Sequence, residues 1–216
     1  MWGAADQGRV NIPILESLES SIVAFVDDTP ELSSPRPDIP ILRGWAGLET
    51  WISGQNISQL GFVLAIGNPY GHVRQSLSKK LSDKGLAVAS FADPSALLCA
   101  SSMYGDGLQV MPAVVVNNDA RIGSQCILNT RALVEHDCVL EAGVEIGPGA
   151  ILCGRVHVGE NSWIGAGAII RPRVIVGRNV IVGAGAVVVA DIPDNCVAVG
   201  VPAHPVFGKT TPSSQA

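Results

Sequence analysis

Residues 110–188 read, in groups of six, VMPAVV VNNDAR IGSQCI LNTRAL VEHDCV LEAGVE IGPGAI LCGRVH VGENSW IGAGAI IRPRVI VGRNVI VGAGAV V. The first residue of every group is Val, Ile or Leu, and the residue four places later is small or medium-sized and never Asp, Glu, Lys, Arg or His. Glycine often follows the aliphatic residue, as at Gly147, Gly165 and Gly183. A period of six matches neither the helical repeat nor the two-residue alternation of a strand.

This period predicts a parallel β-helix, in which each group forms one short strand and one corner. Three groups make a triangular coil whose aliphatic side chains point inward and stack on those of the neighbouring coils. Coils stack at the spacing of adjacent strands, ~4.8 Å, so about five coils give a prism roughly 24 Å tall. The alternative is an ordinary sandwich with chance periodicity, and the unbroken length of the run argues against it.

The bulk composition restricts the possible functions. A length of 216 residues allows one large domain or two small ones, and a net charge of −5 offers no basic surface for nucleic acid. We expect no membrane span, because no apolar run is long enough, and no signal peptide, because the N-terminus lacks a basic segment followed by an apolar core. None of the 5 cysteines lies in a CxxC motif, and Cys126 and Cys138 fall on inward positions. We therefore expect core thiols and a cytoplasmic protein.

Residues 1–92 lack the repeat and predict a small Rossmann-like domain with a parallel sheet, because strand and helix candidates alternate there. The strand candidates are residues 22–26, 62–66 and 86–91, and the helix candidates are residues 10–18, 48–52 and 73–84. A Pro- and Ser-rich loop covers residues 29–40. The β-helix is expected over residues 93–207, followed by a disordered polar tail at residues 208–216.

A glycine-rich stretch at residues 3–8 is a weak candidate for phosphate binding through backbone N–H groups at a helix N-terminus. Such a turn normally follows a strand, yet only Met1 and Trp2 precede it. Either the numbering begins inside the natural gene or the sheet lacks a strand that is usually central, and we expect the first. Asp27 and Asp28 at a strand end could accept hydrogen bonds from hydroxyl groups, or could form a turn and helix cap.

His136 is the leading candidate for chemistry, because it falls on an outward or corner position between Glu135 and Asp137, with Asn129 one group earlier. A carboxylate beside an imidazole holds its tautomer and raises its basicity. The alternative is a solvated surface histidine with chance acidic neighbours. His157 is the only other histidine of the repeat. Zinc needs three convergent protein ligands, so no metal site is expected.

Basic residues concentrate late in the repeat, at Arg155, Arg171, Arg173 and Arg178, whereas residues 135–145 are acidic. A polyanionic cofactor would therefore lie along the later coils. The alternative is an ordinary solvated face.

Several motifs together resemble a known family. They are residues 3–8, Asp27-Asp28, AIGN at 65–68, ILNT at 127–130, VEHDC at 134–138 and VGVPA at 199–203. Over residues 1–207 the chain resembles the left-handed β-helix acyltransferases of the bacterial nucleotide-sugar and sialic-acid group. Their best-known members N-acetylate UDP-linked 4-amino sugars. The Glu-His-Asp run with its preceding Asn-Thr is the most specific part.

This resemblance implies an enzyme in which His136 is the general base, Asp137 holds and polarises it, and Asn129 supports the site. The sugar amine attacks acetyl-CoA directly, with no acyl-enzyme, and no metal takes part. The implied CoA contacts are His157, Ala166 and Ala184. The implied nucleotide-sugar contacts are Ala5, Asp6, Gln7, Asp27, Asp28, Gly67 and Asn68. The resemblance also implies a homotrimer with active sites between neighbouring prisms.

Two departures from the family pattern stand out. The family often has a second histidine nine residues after the first, near the acetyl group, and this chain has Glu145, which we include among the cofactor contacts. An ionised carboxylate cannot donate a hydrogen bond to an oxyanion. The glycine-rich loop reads Ala-Asp-Gln where Gly, Ser or His is usual, so the identity of the nucleotide sugar stays open.

Three functions follow as hypotheses. The first is an acetyl-CoA-dependent N-acetyltransferase acting on a nucleotide-linked amino sugar, with UDP as the expected nucleotide. The second is a sugar O-acetyltransferase of the sialic-acid type. The third is a non-catalytic trimer that binds a sugar nucleotide. We expect no periodic signal on the outer faces that would indicate the geometry of a trimer.

Overall fold

The computed structural model describes residues 1–206, and the tail expected at residues 208–216 lies outside them. The N-terminal part is a three-helix domain on a small parallel sheet. Its helices are α1 (Asp6–Ser17), α2 (Gly44–Ile52) and α3 (Gly71–Asp83), with a 3₁₀ turn at Ile57–Gln59. Its strands are β1 (Phe25–Val26), β2 (Ile41–Leu42), β3 (Gly61–Phe62) and β4 (Ala87–Val88). No helix within residues 1–206 is long and apolar enough to cross a bilayer.

The centre of this sheet is a single residue. Trp2 forms parallel bridges to both Val26 and Leu64, so it joins the β1–β2 pair to the β3–β4 pair. The sequence predicts that most of the first strand is absent, and one residue supplies the connection instead. Gly3 follows at φ +98°, where a Cβ would lie 2.3 Å from the Ala65 carbonyl oxygen. Glycine is therefore required where the chain turns from the sheet into α1.

The rest of the chain is a left-handed parallel β-helix, the prism that the six-residue period predicts. The docked face, which lies against the N-terminal domain, contains the strands Phe91–Ala92, Gln109–Val110, Ile127–Leu128, Glu145–Ile146, Trp163–Ile164, Ile181–Val182 and Val197–Gly200. The second face contains Leu97–Leu98, Val115–Val116, Leu133–Val134, Ile151–Leu152, Ile169–Ile170 and Val187–Val188. The third face contains Met103–Tyr104, Arg121–Ile122, Val139–Leu140, His157–Val158 and Ile175–Val176.

The prism begins at Phe91, just before the expected boundary, because that strand already pairs with Gln109–Val110. At the other end Ala203–Val206 folds back antiparallel on Val197–Gly200.

The inside of the prism is closed and apolar. Every aliphatic residue that opens a group, from Val110 to Val188, is at most 4% exposed, which confirms the inward orientation. Cys126 and Cys138 are fully buried as expected, and burial raises the pKa of their thiols to about 12 and about 11. Corner residues at six-residue intervals, among them Asp119, Gln125, Arg131 and Asp137, have φ near +60°. One left-handed residue per corner turns the chain onto the next face.

The N-terminal domain covers the docked face through polar and apolar contacts. Gln109, fully buried, accepts a hydrogen bond from Asn11 Nδ2 at 2.8 Å and donates one to the Leu64 carbonyl at 2.7 Å. Ile127 packs in the same cluster as Leu15 of α1. These contacts fix the position of α1 relative to the coils.

The second face carries a stripe of outward-pointing aliphatic residues. Leu97 is 67% exposed and Ile169 is 38% exposed. The members of this aliphatic stripe, in register from coil to coil, are Leu97, Val115, Leu133, Ile151, Ile169 and Val187. The expectation that the outer faces carry no periodic signal is wrong, because an outward aliphatic residue recurs on the second face once per coil. Reading the sequence in sixes hides this recurrence, since successive groups belong to different faces.

Candidate active site

His136 lies at the corner between the second and third faces and is about half exposed. Its Nδ1 is 2.8 Å from Asp137 Oδ2. Asp137 Oδ2 also accepts a hydrogen bond from Arg155 Nε at 3.4 Å. The hydrogen bond with His136 and, to a smaller extent, the contact with Arg155 hold the pKa of this carboxyl below its usual range. An ionised carboxylate only accepts, so Nδ1 carries the hydrogen and Nε2 presents a lone pair. In this arrangement Nε2 is available to accept a proton.

The imidazole has room because the residue beneath it is a glycine. A Cβ on Gly154 would lie 2.4 Å from His136 Nε2, a distance that real Cβ contacts do not show. Around the ring, Arg155, Pro172 and Arg173 line a cleft with His136 and Gly154. The cleft therefore combines one imidazole with two guanidinium groups.

Glu135 restrains the backbone of the same corner. Its Oε2 accepts hydrogen bonds from Asn117 Nδ2 at 3.0 Å and from the His136 amide at 3.3 Å. The acidic residue before the histidine therefore acts on the main chain, whereas the one after it acts on the imidazole.

Asn129 does not lie at this corner. It follows the strand Ile127–Leu128, at the corner between the docked and second faces, and its Nδ2 donates to Glu145 Oε1 at 3.1 Å. Within residues 1–206 no hydrogen bond joins Asn129 to His136 or Asp137. The structure thus brings together two members of the expected catalytic set and separates the third.

Glu145 lies between the two domains and is only 3% exposed. Its Oε1 accepts hydrogen bonds from Asn129 and, at 3.0 Å, from Asn68 Nδ2 of the loop before α3. Burial raises the pKa of Glu145, and Arg74, Asn68 and Asn129 oppose that rise. Its expected role is a cofactor contact, but this conformation directs the carboxyl toward Asn68, a residue expected to bind the nucleotide sugar.

Arg74 is a buried residue next to the candidate site that the sequence does not single out. It is fully buried on α3, and its guanidinium donates to the carbonyls of Ile66, Gln125 and Gly143 at 2.8–3.0 Å. Its Nη1 lies 3.5 Å from Glu145 Oε2. Only long-range contacts distinguish it from the exposed basic residues of the same helix, so no local signal marks it.

The expected CoA contacts fall on two parts of the prism. Ala166 and Ala184 are exposed and stack one coil apart, at the same corner as Asn129. His157 is on the third face, where its Nε2 lies 2.8 Å from Glu141 Oε1. At the Ala166 corner a Cβ on Gly167 or on Gly185 would meet no atom within 4 Å, so this corner presents open backbone.

The expected nucleotide-sugar contacts lie at the carboxyl edge of the small sheet. Ala5 precedes α1, and Asp6 and Gln7 form its first turn, which has no side-chain cap. Gly67 lies across from them, because its Cβ would be 3.9 Å from Gln7 Oε1. Ligands of parallel α/β sheets bind at this edge, and uncapped N–H groups of a helix suit a phosphate.

Asp27 and Asp28 have different surroundings. Asp27 is 9% exposed and accepts hydrogen bonds from the amides of Ala4 at 2.8 Å and Thr29 at 2.9 Å. Burial by itself would raise the pKa of Asp27, but these amides outweigh it and the pKa is lowered. Asp28 lies beside Gly44, and its side chain is exposed to solvent. Asp27 therefore shapes the glycine-rich loop, while Asp28 is accessible to a ligand.

In the part of the chain that the structure describes, no three His, Cys, Asp or Glu side chains converge as they would around a metal ion.

Known proteins resemble this chain over most of its length. Residues 155–190 match the family described as bacterial transferase hexapeptide (six repeats). GDP-perosamine N-acetyltransferase of Escherichia coli O157:H7 is 29% identical over 172 residues, which cover 76% of this chain and 73% of that protein.

Solved structures extend the likeness to both domains. A histidine-to-alanine variant of GDP-perosamine N-acetyltransferase from Caulobacter crescentus, in complex with CoA and GDP-perosamine, has a TM-score of 0.88 at 34% identity and covers 96% of this chain and 95% of that chain. The acetyltransferase domain of PglB from Neisseria gonorrhoeae FA1090 has a TM-score of 0.85 at 33% identity and covers 95% of this chain and 97% of that chain. The similarity therefore spans the small sheet as well as the prism.

Proposed function

The chain belongs to the hexapeptide-repeat acyltransferases of the bacterial nucleotide-sugar N-acetyltransferase group, and we propose that it acetylates the amino group of a GDP-linked amino sugar from acetyl-CoA, with His136 as general base. One observation carries the assignment of the base. His136 Nδ1 is engaged by Asp137 at 2.8 Å, which leaves Nε2 above Gly154 in an open cleft.

The chemistry needs one proton acceptor. The amine nitrogen attacks the carbonyl carbon of the thioester, and His136 Nε2 takes a proton from that nitrogen as the C–N bond forms. The C–S bond then breaks, and the CoA thiolate leaves and recovers the proton from the imidazolium. Asp137 orients the imidazole and stabilises its charged form. The products are the acetamido sugar and CoA.

The two ligands are assigned to different domains. The first turn of α1 and the loop with Gly67 and Asn68 receive the nucleotide sugar, because uncapped backbone N–H groups there suit its diphosphate. Acetyl-CoA is placed along the later coils, where Arg155 and Arg173 beside His136 offer positive charge to its phosphates. The sequence suggests UDP, but GDP is proposed because GDP-perosamine is the named substrate of the relatives in Escherichia coli and Caulobacter crescentus.

A homotrimer is part of the proposal. The aliphatic stripe gives the second face an apolar surface of the kind that closed oligomers bury. Asn129, Ala166 and Ala184 share one corner of the prism, whereas His136 lies at the next corner. A neighbouring copy would bring its His136 corner to the Asn129 corner and complete the site.

The test is an acetyl-transfer assay that follows release of the CoA thiol. The acceptors are GDP-, UDP- and dTDP-linked amino sugars, each beside the matching sugar with a hydroxyl in place of the amine. We expect thiol release only with the amines, fastest with GDP. Absence of turnover with every nucleotide-linked amine would refute the proposed activity, and equal turnover of the hydroxyl sugars would favour O-acetylation.

A further inference from the structure

Glu145 is a buried carboxylate whose two oxygens differ in their hydrogen bonds. Its Oε1 accepts two amide hydrogen bonds, from Asn68 and Asn129, while its Oε2 has no hydrogen-bond partner within residues 1–206. Burial opposes ionisation, but both carboxyl oxygens face nitrogen groups that can only donate: Oε1 faces the two amides, and Oε2 faces Arg74 Nη1 at 3.5 Å. Glu145 therefore acts here as an acceptor.

An ionised carboxylate determines which way each asparagine amide points. It has no hydrogen to donate, so only the NH₂ end of Asn68 and of Asn129 can face it. Each Oδ1 is then directed away from Glu145, and neither accepts a hydrogen bond from the described part of the chain. Both asparagines are half-buried, so these two oxygens, the acceptor pair, are open to a ligand at the seam between the domains.

A neighbouring group also lacks its partner. Trp163 stands in register with Glu145 one coil further along the docked face, and its buried indole Nε1 has no acceptor in residues 1–206. Unpaired buried polar groups are rare unless water or a ligand completes them. The seam is therefore built for a polar occupant.

We propose that Glu145 acts as a positioning residue that fixes Asn68 and Asn129 with their Oδ1 atoms outward, so that the acceptor pair binds donor groups of the sugar. This inference rests on the proposed function and deepens it. The ligand groups are the sugar's amine or the hydroxyl beside it, since both donate hydrogen bonds. The seam then selects the acceptor sugar, and it makes no contribution to binding the thioester carbonyl, which can only accept.

The first test removes the carboxylate without leaving a lone buried charge. Arg74→Met combined with Glu145→Leu replaces the ion pair with apolar side chains, a change that folded proteins often tolerate. The KM for the nucleotide amino sugar should rise by about tenfold, the scale of one hydrogen bond, with the KM for acetyl-CoA unchanged. The matched control is Arg36→Met with Glu16→Leu, a surface pair on the N-terminal domain.

The second test leaves the ion pair in place. Asn129→Leu removes one acceptor. Calorimetry then measures how tightly wild type and variant bind three ligands: the nucleotide amino sugar, an analogue lacking the amine and an analogue lacking the neighbouring hydroxyl. We expect the variant to weaken binding of the parent sugar by about tenfold and to leave binding of one analogue unchanged. A purely structural defect would weaken all three alike. If the double variant fails to fold, this second test decides alone.

Several results would overturn the inference. They are a rise in the KM for acetyl-CoA equal to that for the sugar, an unchanged sugar KM in a folded double variant, or equal losses for all three ligands in Asn129→Leu. If wild-type protein acetylates the amino sugar in the same experiments, such results refute the acceptor pair alone. If it does not, the proposed function fails first and the inference falls with it.

Discussion

The orientation of the His136 imidazole depends on the two residues that contact it, Asp137 and Gly154, more than on its own exposure to solvent. Asp137 follows it in the left-handed conformation, at φ +57°, which turns the carboxylate back to Nδ1 at 2.8 Å. Gly154, one coil further on, supplies the space under the ring. The residue types at both positions can be read from the sequence, but the contact with Gly154 depends on the coil register and becomes visible only in the structure.

Replacement of His136 should remove the base and leave the fold intact, because the side chain is half exposed and holds no element in place. We expect His136→Ala to lower turnover by ~10²–10⁴-fold, the usual contribution of general-base catalysis. The measurement is the rate of CoA thiol release, with circular dichroism to verify folding. His72→Ala, at an exposed histidine of α3, is the matched control. Unchanged turnover in His136→Ala would exclude this residue as the base.

Gly154→Ala should act on catalysis through the imidazole. The added methyl group would meet His136 Nε2 at 2.4 Å, so the ring must move away from the cleft. We expect a lower turnover rate with a thermal midpoint close to that of the wild type. Gly54→Ala is the control, because its nearest atom would be the Trp51 carbonyl oxygen at 3.8 Å. Equal turnover in Gly154→Ala and wild-type protein would contradict the steric argument.

At the scale of elements, the prism could be predicted from sequence and the seam between the domains could not. The six-residue period places each inward side chain, because every strand repeats the same contacts with its neighbours. The small sheet is harder, since its strands are two residues long and its centre is Trp2 alone. Arg74 and Glu145 are distant in sequence, and no local pattern pairs a helix arginine with an outward residue of a β-helix.

The buried pair at the seam should matter for stability far more than the surface pairs. Arg74 and Glu145 have side chains 0% and 4% exposed, so loss of one partner leaves a charge buried without compensation. We expect Arg74→Met to cost ~3–5 kcal/mol in the free energy of unfolding. Arg36→Met, which removes a shorter but solvent-exposed contact to Glu16, should leave the denaturation midpoint nearly unchanged. Similar midpoints for the two variants would contradict this assignment.

Asp27 links the end of β1 to the glycine-rich loop, and this link should depend on pH. Its folded pKa is lowered, so the stabilisation is present above the unfolded pKa, near 4, and is lost as pH falls through the folded value. We expect Asp27→Asn to be less stable than wild type at pH 7, with the difference shrinking below about pH 4. Urea denaturation at several pH values measures this. A stability difference between Asp27→Asn and wild type that stays constant with pH would contradict the role.

At the scale of the whole molecule, the aliphatic stripe predicts the state of assembly. Ile151→Asp places a charge in the middle of the second face, where burial against another copy would desolvate it. We expect the wild type to have three times the 22.4 kDa mass of the chain in light scattering, and Ile151→Asp to have one. Thr50→Asp, on the exposed side of α2, should remain a trimer. A monomeric wild type would refute the trimer.

The prism has two different repeat lengths, one for its hydrophobic core and a longer one for its functional corners. The hydrophobic core repeats with each corner, so gain or loss of six residues would keep every aliphatic side chain inside. The functional corners repeat only with a full circuit, as the pairing of Arg121 with Val139 shows. A six-residue insertion after His136 would therefore rotate Arg155 and Arg173 by a third of a revolution and leave the imidazole above a different side chain. The aliphatic core by itself would tolerate such an insertion, but Glu145 would leave the docked face and its buried contact with Arg74 would be lost. Activity would survive only changes by whole circuits, so the spacing from His136 to Arg173 should be far less free to vary than core packing requires.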